Sequence, residues 1–422
     1  MRIVDYVELK KDFYEHEDTF NLYTINRVID NVRKYGDQAI RRYTRRFDNV
    51  VLDDFRIKPA EIKRAYLLTN PHITKAIQQA MSNIRKFSCV QLNQLRNFRL
   101  HVSPGVMAEQ KIIPINRIGI YVPGGRFPLV STVLMCGVPA KIAGVREIVL
   151  CSPPTYKNTI HPAILASAKI VGISEIYKIG GAQAIAALAY GTETITRVDK
   201  IFGPGNIYVT TAKKLVFGDA GIDFVAGPTE ILIIADRFAE PDIIAADLLA
   251  QAEHDTNAIP ILVTNSTVLA ESVKKEVKRQ LKVLKTKSIA QESLKKNGLI
   301  ITVKNLNQAI EIANKKAPEH LELQVKNPQR YIGKFKNYGS LFIGRYSAEA
   351  LGDYSSGLNH TLPTNGSARY TGGLHIKDFL KIQTILKVNK KGLKEIGPIA
   401  EQLAHTEGLW GHLNSIRIRR VR

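Results

Sequence analysis

The 422-residue sequence predicts an α/β fold, and three observations carry that prediction. Short runs rich in Ile, Val and Leu recur through residues 112–343, each of strand length and each closed by a glycine or proline turn. Segments with helical spacing alternate with them, and strand, turn and helix in that rhythm mark a parallel sheet covered by helices. The two ends read instead as helical.

In the N-terminal part, Ile25, Val28, Ile29 and Val32 follow i, i+3, i+4, i+7 and make one helical face. Residues 60–68 and 73–87 repeat the pattern, with Pro59 and Pro71 where helix starts tolerate proline. The first hundred residues are therefore expected to be helical. Near residue 112 the texture changes. Strands are expected at 118–122, 147–151, 175–179 and from 200, ending respectively at Pro123-Gly124-Gly125, Pro153-Pro154, Gly180-Gly181 and Gly203-Pro204-Gly205. Helices are expected at 129–143, 162–171 and 183–189. A second alternation begins at Glu230, with strands at 230–234, 259–264, 299–303 and 340–343 and helices at 241–252, across the lysine-rich 274–296 stretch, and at 306–313. From Ile376 the chain is read as helical again. The two α/β halves show no alignable repeat. Ligands of such sheets bind beyond the carboxyl ends of the strands.

Composition bounds the function. Apolar residues make up 45% and charged residues 23%, ordinary globular values that exclude a disordered or fibrous chain. Length alone suggests about three compact units. The three cysteines, Cys89, Cys136 and Cys151, have no paired spacing, which argues against a disulfide framework or a cysteine zinc site and for a reducing compartment. The N-terminus lacks the apolar core of a secretory signal, and no apolar run has the length of a membrane span. A cytoplasmic location is expected. The net charge of +22 raises the question of a nucleic-acid partner. The lysines, however, interleave with Val273, Val277, Leu281 and Leu284 at helical spacing, as on a solvated helix face, and no nucleic-acid motif accompanies them.

Five features can carry chemistry. Gln251 and His254 lie three residues apart, so they share a helix face and form either half of a borderline metal site or a polar helix terminus. Glu319 and His320 follow Pro318. They are adjacent residue types suited to proton transfer that can face one cavity only in a loop or at a helix start, which Pro318 as first residue would supply; the plainer reading is a helical first turn with Glu319 favoured by the dipole. Asp353 and His360 belong to a polar glycine-bearing loop, 352–364, as ligands or as loop-bracing groups. Glu407 and His412 lie in a segment that is either a surface helix end or an arm reaching another subunit. The glycine turns at successive strand ends suggest a phosphate-bearing ligand, although GxGxxG and the Walker lysine are absent. Cys136 and Cys151 read as packing residues. Without wider context, a zinc hydrolase using Glu319 to activate water remains an alternative, and the charge leaves a nucleic-acid-binding protein as another.

Taken together, GGAQAI (180–185), GPGN (203–206), AGPTE (226–230), AQAEHD (250–255), APEHLE (317–322), GDYSSGLNH (352–360) and EGLWGH (407–412), with the PGG turn at 123–125, resemble the histidinol dehydrogenase family in order and near its spacing. The resemblance implies two α/β domains of incomplete Rossmann type with small helical and C-terminal tail domains, which accounts for the missing GxGxxG. It divides the chain into residues 1–110 (helical part of the substrate and zinc domain), 111–229 (NAD-binding domain), 230–375 (substrate- and zinc-binding domain) and 376–422 (tail). It implies a cytosolic homodimer that uses NAD and Zn2+ to oxidise L-histidinol through L-histidinal to L-histidine, the last steps of histidine biosynthesis. The runner-up is a relative acting on another small polar alcohol, such as a sulfonated diol.

By the same resemblance Gln251, His254, Asp353 and His412 are the zinc ligands, the last from the partner subunit. Glu319 and His320 are the catalytic pair. Thr229, His320 and Glu407 contact the substrate, which also meets the zinc-ligand residues, and Tyr121, Gln183 and Asn206 contact NAD. The family often has serine where this chain has Thr229; the hydroxyl is kept and a methyl is added. His360 matches a family histidine that is not a ligand.

Overall fold

The computed structural model describes residues 1–9, 11–14, 22–125 and 127–421. Two parallel sheets organise it. The first has five strands, in the order Glu175–Tyr177, Glu147–Cys151, Arg117–Tyr121, Lys200–Phe202, Gly221–Ile222. Its central strand is buried along its whole length, RIGIY, as a strand covered on both faces must be. Gly119 is required there, since a Cβ would stand 2.9 Å from both methyl carbons of Leu188. Leu22–Phe47, Gly181–Tyr190 and Ile207–Val216 cover one face, and Pro59–Leu68, Val130–Ala143 and Pro162–Val171 the other.

The second sheet has six parallel strands, in the order Arg2–Asp5, Leu299–Thr302, Ile259–Thr264, Glu230–Ala235, His320–Gln324, Ser340–Ile343. Apart from the added Arg2–Asp5 edge, its strands run 3-2-1-4-5 in chain order, and the first sheet runs the same way. The two halves thus share a topology that their sequences do not display as a repeat. A third, antiparallel sheet joins Leu380–Val388, Val106–Pro114 and Phe98–Ser103, and leads into the paired helices Lys390–Thr406 and Trp410–Val421.

Most expected elements are present with ends shifted by a residue or two, and five expectations are corrected. Residues 1–110 are not all helical, because Arg2–Asp5 completes the second sheet and Phe98–Ser103 belongs to the third. The part after Ile376 contains a nine-residue strand, Leu380–Val388. The strand is exposed except at its half-buried ends, so no buried face marks it. The lysine-rich stretch forms two helices, Thr267–Leu281 and Lys287–Lys296. Within the expected loop 352–364, Asp353 sits in a short helix, Glu349–Tyr354.

The fifth correction concerns Glu319 and His320. Helix Leu306–Lys316 ends at Ala317 in a left-handed conformation (φ 53), and Pro318 follows that cap. A proline just past a helix end cannot continue it. Glu319 therefore leads into the fully buried strand His320–Gln324, held between Glu230–Ala235 and Ser340–Ile343, instead of starting a helix. Among the described residues no helix is long and apolar enough to cross a membrane.

Candidate active site

The candidate residues lie at two strand edges, one in each parallel sheet. In the first sheet, Tyr121 ends the central strand, Gln183 lies in the first turn of Gly181–Tyr190, and Asn206 caps Ile207–Val216, its side chain accepting from Val209 N at 3.2 Å. All three stand at carboxyl ends of strands, where dinucleotides bind in open α/β sheets. The Gly181 N–H donates to the Tyr121 hydroxyl at 3.2 Å. The Gln183 amide is buried, yet neither its oxygen nor its nitrogen has a hydrogen-bond partner. Burying an amide without a partner is costly, so a ligand with donor and acceptor groups fits here, and a dinucleotide carries both. A buried ion pair holds the GPGN turn. The Lys213 Nζ donates to Gly203 O at 3.0 Å and to Asp223, which accepts from Gly203 N at 2.8 Å and Phe224 N at 2.7 Å.

In the second sheet the chemistry lies at the opposite, amino edge. Glu230 and His320 open neighbouring parallel strands. Tyr121, Gln183 and Asn206 thus stand at carboxyl ends, as the sequence reading expected of ligand-binding residues, whereas Glu230 and His320 stand at amino ends. The backbone of Glu230 holds both members of the Glu319–His320 pair. Its N–H donates to Glu319 Oε2 at 3.0 Å, and its carbonyl lies 3.1 Å from His320 Nδ1. A carbonyl only accepts, so Nδ1 carries the ring proton and Nε2 keeps the lone pair. The Thr229 hydroxyl donates to the same Glu319 Oε2 at 2.6 Å, and Gln251 Nε2 donates to Thr229 Oγ1 at 2.6 Å. Thr229 therefore connects the catalytic candidate to the ligand candidate, and its added methyl leaves both hydrogen bonds in place.

The electrostatics follow from burial. Desolvation pushes the Glu319 carboxyl well above its usual value, opposed by the hydrogen bonds from Thr229 and Glu230 N. Desolvation pulls the His320 imidazole down, opposed by Asp353. Both shifts move the pair toward neutral forms, a base that is free and an acid poised to gain or lose its proton. Behind them the Glu230 carboxylate pairs with Lys316 at 3.2 Å, both side chains at most 3% exposed.

Gln251 is fully buried and its Oε1 has no partner, because the amide is turned by the Thr229 bond. His254 Nε2 stands 3.9 Å from Asp353 Oδ2, too far for a hydrogen bond. Metal–ligand bonds of about 2.1 Å put two ligand atoms of one ion about 3–4 Å apart, so the orphaned amide oxygen and this spacing fit a zinc ion. The structure adds Glu349, which sequence reasoning missed. Its Oε1 lies 3.4 Å from His320 Nε2, and His320, Glu349 and Asp353 offer ligand atoms within 4.8 Å of one another. Burial pushes its carboxyl up to about 7. The one sequence signal was that Glu349 and Asp353 are four residues apart on one helix. A cavity of about 600 Å³ opens beside His254, walled by Ile77, Phe127, Leu134 and Tyr354.

Glu407 and His412 are exposed on the tail, and among the described residues no hydrogen bond or ion pair joins either to this group. His360, set aside as a ligand, is half-buried nearby with an unpartnered Nε2. Cys136 and Cys151 are buried, and burial pushes the Cys136 thiol up to about 12, as expected of packing residues.

The family profile described as "Histidinol dehydrogenase" matches residues 14–420. Histidinol dehydrogenase from Lactiplantibacillus plantarum is 48% identical over 94% of this chain and 92% of its own length. That from Methanothermobacter thermautotrophicus is 46% identical over 94% and 92%. The crystal structure of histidinol dehydrogenase from Elizabethkingia anophelis superposes with a TM-score of 0.93 at 41% identity, covering 99% of this chain and 97% of the other. With the profile spanning nearly its full length, this chain belongs to the histidinol dehydrogenase family.

Proposed function

We propose that this protein oxidises L-histidinol through L-histidinal to L-histidine with two molecules of NAD, as a zinc-dependent homodimer working in the cytoplasm. The observation that carries the reading is the buried group in which Glu230 fixes Glu319 and the His320 tautomer, with Gln251 Oε1 and Asp353 beside them.

Gln251, His254 and Asp353 hold the metal from one subunit and His412 from its partner. Tyr121, Gln183 and Asn206 hold the cofactor. Bound there, zinc would supply an electrophilic anchor for the substrate and NAD would supply the hydride acceptor. His320 Nε2, its lone pair free, takes the proton of the substrate hydroxyl in the first oxidation. The aldehyde must then be hydrated before a second hydride can leave. Glu319, held through Oε2 by Thr229 and Glu230 N, keeps Oε1 for a water and takes its proton as that water adds to the aldehyde carbon. His320 returns the proton it holds to the aldehyde oxygen as that water adds, which completes the hydrate, and takes a hydroxyl proton of the hydrate in the second oxidation. Burial leaves the imidazole free of its second proton and makes the Glu319 carboxylate a stronger base, which suits these transfers. Thr229, Gln251, His254, Asp353 and the partner's Glu407 and His412 surround the substrate.

Dimerisation is supported by apolar surface left bare in one chain. Leu100, Val102, Leu386, Leu403 and Trp410, all on the third sheet and the tail helices, are each more than half exposed. A monomer seldom leaves so much apolar side chain clustered in one region. The decisive experiment follows NAD reduction with histidinol, before chelation, after chelation and after zinc is returned. Turnover that is lost and restored with the metal is expected. A sulfonated diol turned over in preference to histidinol, or no turnover with zinc present, refutes the reading.

A further inference from the structure

One acidic group near the first sheet has no partner and no role in the mechanism above. Asp48 follows the helix Leu22–Phe47, its N–H donating to Thr44 O at 2.9 Å. It is half-buried, and its Oδ2 is buried without a hydrogen-bond partner. Among the described residues no Lys, Arg or His forms an ion pair with it. Burial pushes its carboxyl up to about 6. A buried, unpartnered acceptor in a native fold calls for a physical reason.

Its position supplies one. Tyr43 and Val50, on either side of Asp48, belong to the same apolar cluster as Tyr121, Cys151, Ile179 and Ala182. The chain after Asp48 runs along the outer strand of the first sheet, where Ile57 N donates to Ile176 O at 2.8 Å and Lys178 N to Phe55 O at 2.9 Å. Burial raises the Tyr121 phenol, and the charge of Asp48 adds to that rise. It therefore sits on the side of the sheet that holds the second and third strands, beside the residues assigned to NAD.

In dinucleotide-binding sheets, a carboxylate on that side reads the adenosine ribose. It accepts a hydrogen bond from the 2′-hydroxyl and repels a 2′-phosphate. The second strand of this sheet, Glu147–Cys151, runs into Ser152-Pro153-Pro154 and offers none there. The carboxylates the sheet does carry are engaged: Glu147 and Glu175 both pair with Arg117, and Asp223 with Lys213.

We infer that Asp48 is the ribose-reading carboxylate of the cofactor site and sets the preference for NAD over NADP. This rests on the assignment of Tyr121, Gln183 and Asn206 to NAD. Titration calorimetry of the zinc-loaded protein with NAD and with NADP tests it without turnover. For Asp48→Asn, NAD is expected to bind about tenfold more weakly, as for loss of a hydrogen bond to a charged group, and the NAD-to-NADP affinity ratio to fall at least tenfold. Asp48→Ser, which removes the charge and opens space, is expected to lower the ratio further. Gln183→Ala serves as the control, expected to weaken both cofactors and leave the ratio unchanged. If Gln183→Ala weakens NAD binding while both Asp48 variants keep the wild-type ratio, the inference about Asp48 is overturned and the cofactor assignment stands. If none of the variants alters NAD binding, both fall.

Discussion

Replacing Lys213 with methionine removes the positive half of the ion pair that holds the GPGN turn. Lys213 is 2% exposed, and its ammonium reaches both Gly203 O and Asp223. Without it Asp223 is left as a buried charge. Breaking such a pair from one side costs about 3–5 kcal/mol. Asp223 still accepts from Gly203 N and Phe224 N, which places the loss near the lower end, about 3 kcal/mol. If the α/β half carrying the turn, on the order of 200 residues, unfolds as a unit, that corresponds to a melting temperature lower by about 6–12 °C. The turn also loses the bond to Gly203 O, so NAD affinity should fall about tenfold while kcat at saturating NAD changes less. Replacing both partners, Lys213→Met with Asp223→Leu, leaves no buried charge, so the double variant should be more stable than either single one. Thermal melts and NAD titrations of the three variants measure this. A Lys213→Met protein that melts with the wild type, or a double variant whose loss equals the sum of the single losses, refutes the claim that the pair acts as a clamp.

His320→Asn should impair both oxidations by a hundredfold or more, whereas Glu319→Gln should chiefly stall the aldehyde step; separate assays with histidinol and histidinal check this, and equal losses in the Glu319 variant contradict the division of roles. His412→Asn should lower zinc content after dialysis, and mixing it with His320→Asn should restore activity, because the mixed dimer then contains one site with its own His320 and the partner's intact His412. No restoration on mixing, with mixed dimers present, argues against shared sites. Asp48→Asn should also change stability with pH. The carboxyl is pushed up from 3.8 to about 6 in the fold, so between those values the folded protein holds more protons than the unfolded chain and loses stability as pH rises. Removing the charge should therefore stabilise the protein above about pH 6, by about 1 kcal/mol once solvent screening of this half-exposed group is allowed for. The gain should vanish near pH 4, and melts at pH 4 and pH 8 decide the sign.

How much of this protein was legible beforehand differs by region. The parallel strands could be read because each is a short apolar run buried on both faces and stopped by glycine or proline, as in Glu147–Cys151 and Ile259–Thr264, whose observed ends match the reading. The tail strand Leu380–Val388 was missed because it is mostly exposed, so no burial pattern marks it. His320–Gln324 was missed for the opposite reason. It buries His320, Glu322 and Gln324, polar residues that composition assigns to a surface, and Pro318 beside them is as compatible with a helix start as with a helix end.

Local order along the chain, residue type and the spacing of turns are properties that neighbouring residues determine, and they were sufficient for the fold class and, through the run of motifs, for the family, whose resemblance in turn named the candidate residues from Tyr121 to His412. Which strand edge faces which depends on pairings between segments far apart in sequence. Only the folded chain therefore reveals that one half presents its carboxyl ends and the other its amino ends, that Glu230 orients Glu319 and His320 through its backbone, that Glu349 stands beside His320, and that Asp48 Oδ2 is buried without a partner. Backbone hydrogen bonds and desolvation have no signature in the identity of a single residue, because they arise from neighbours that the fold alone brings together.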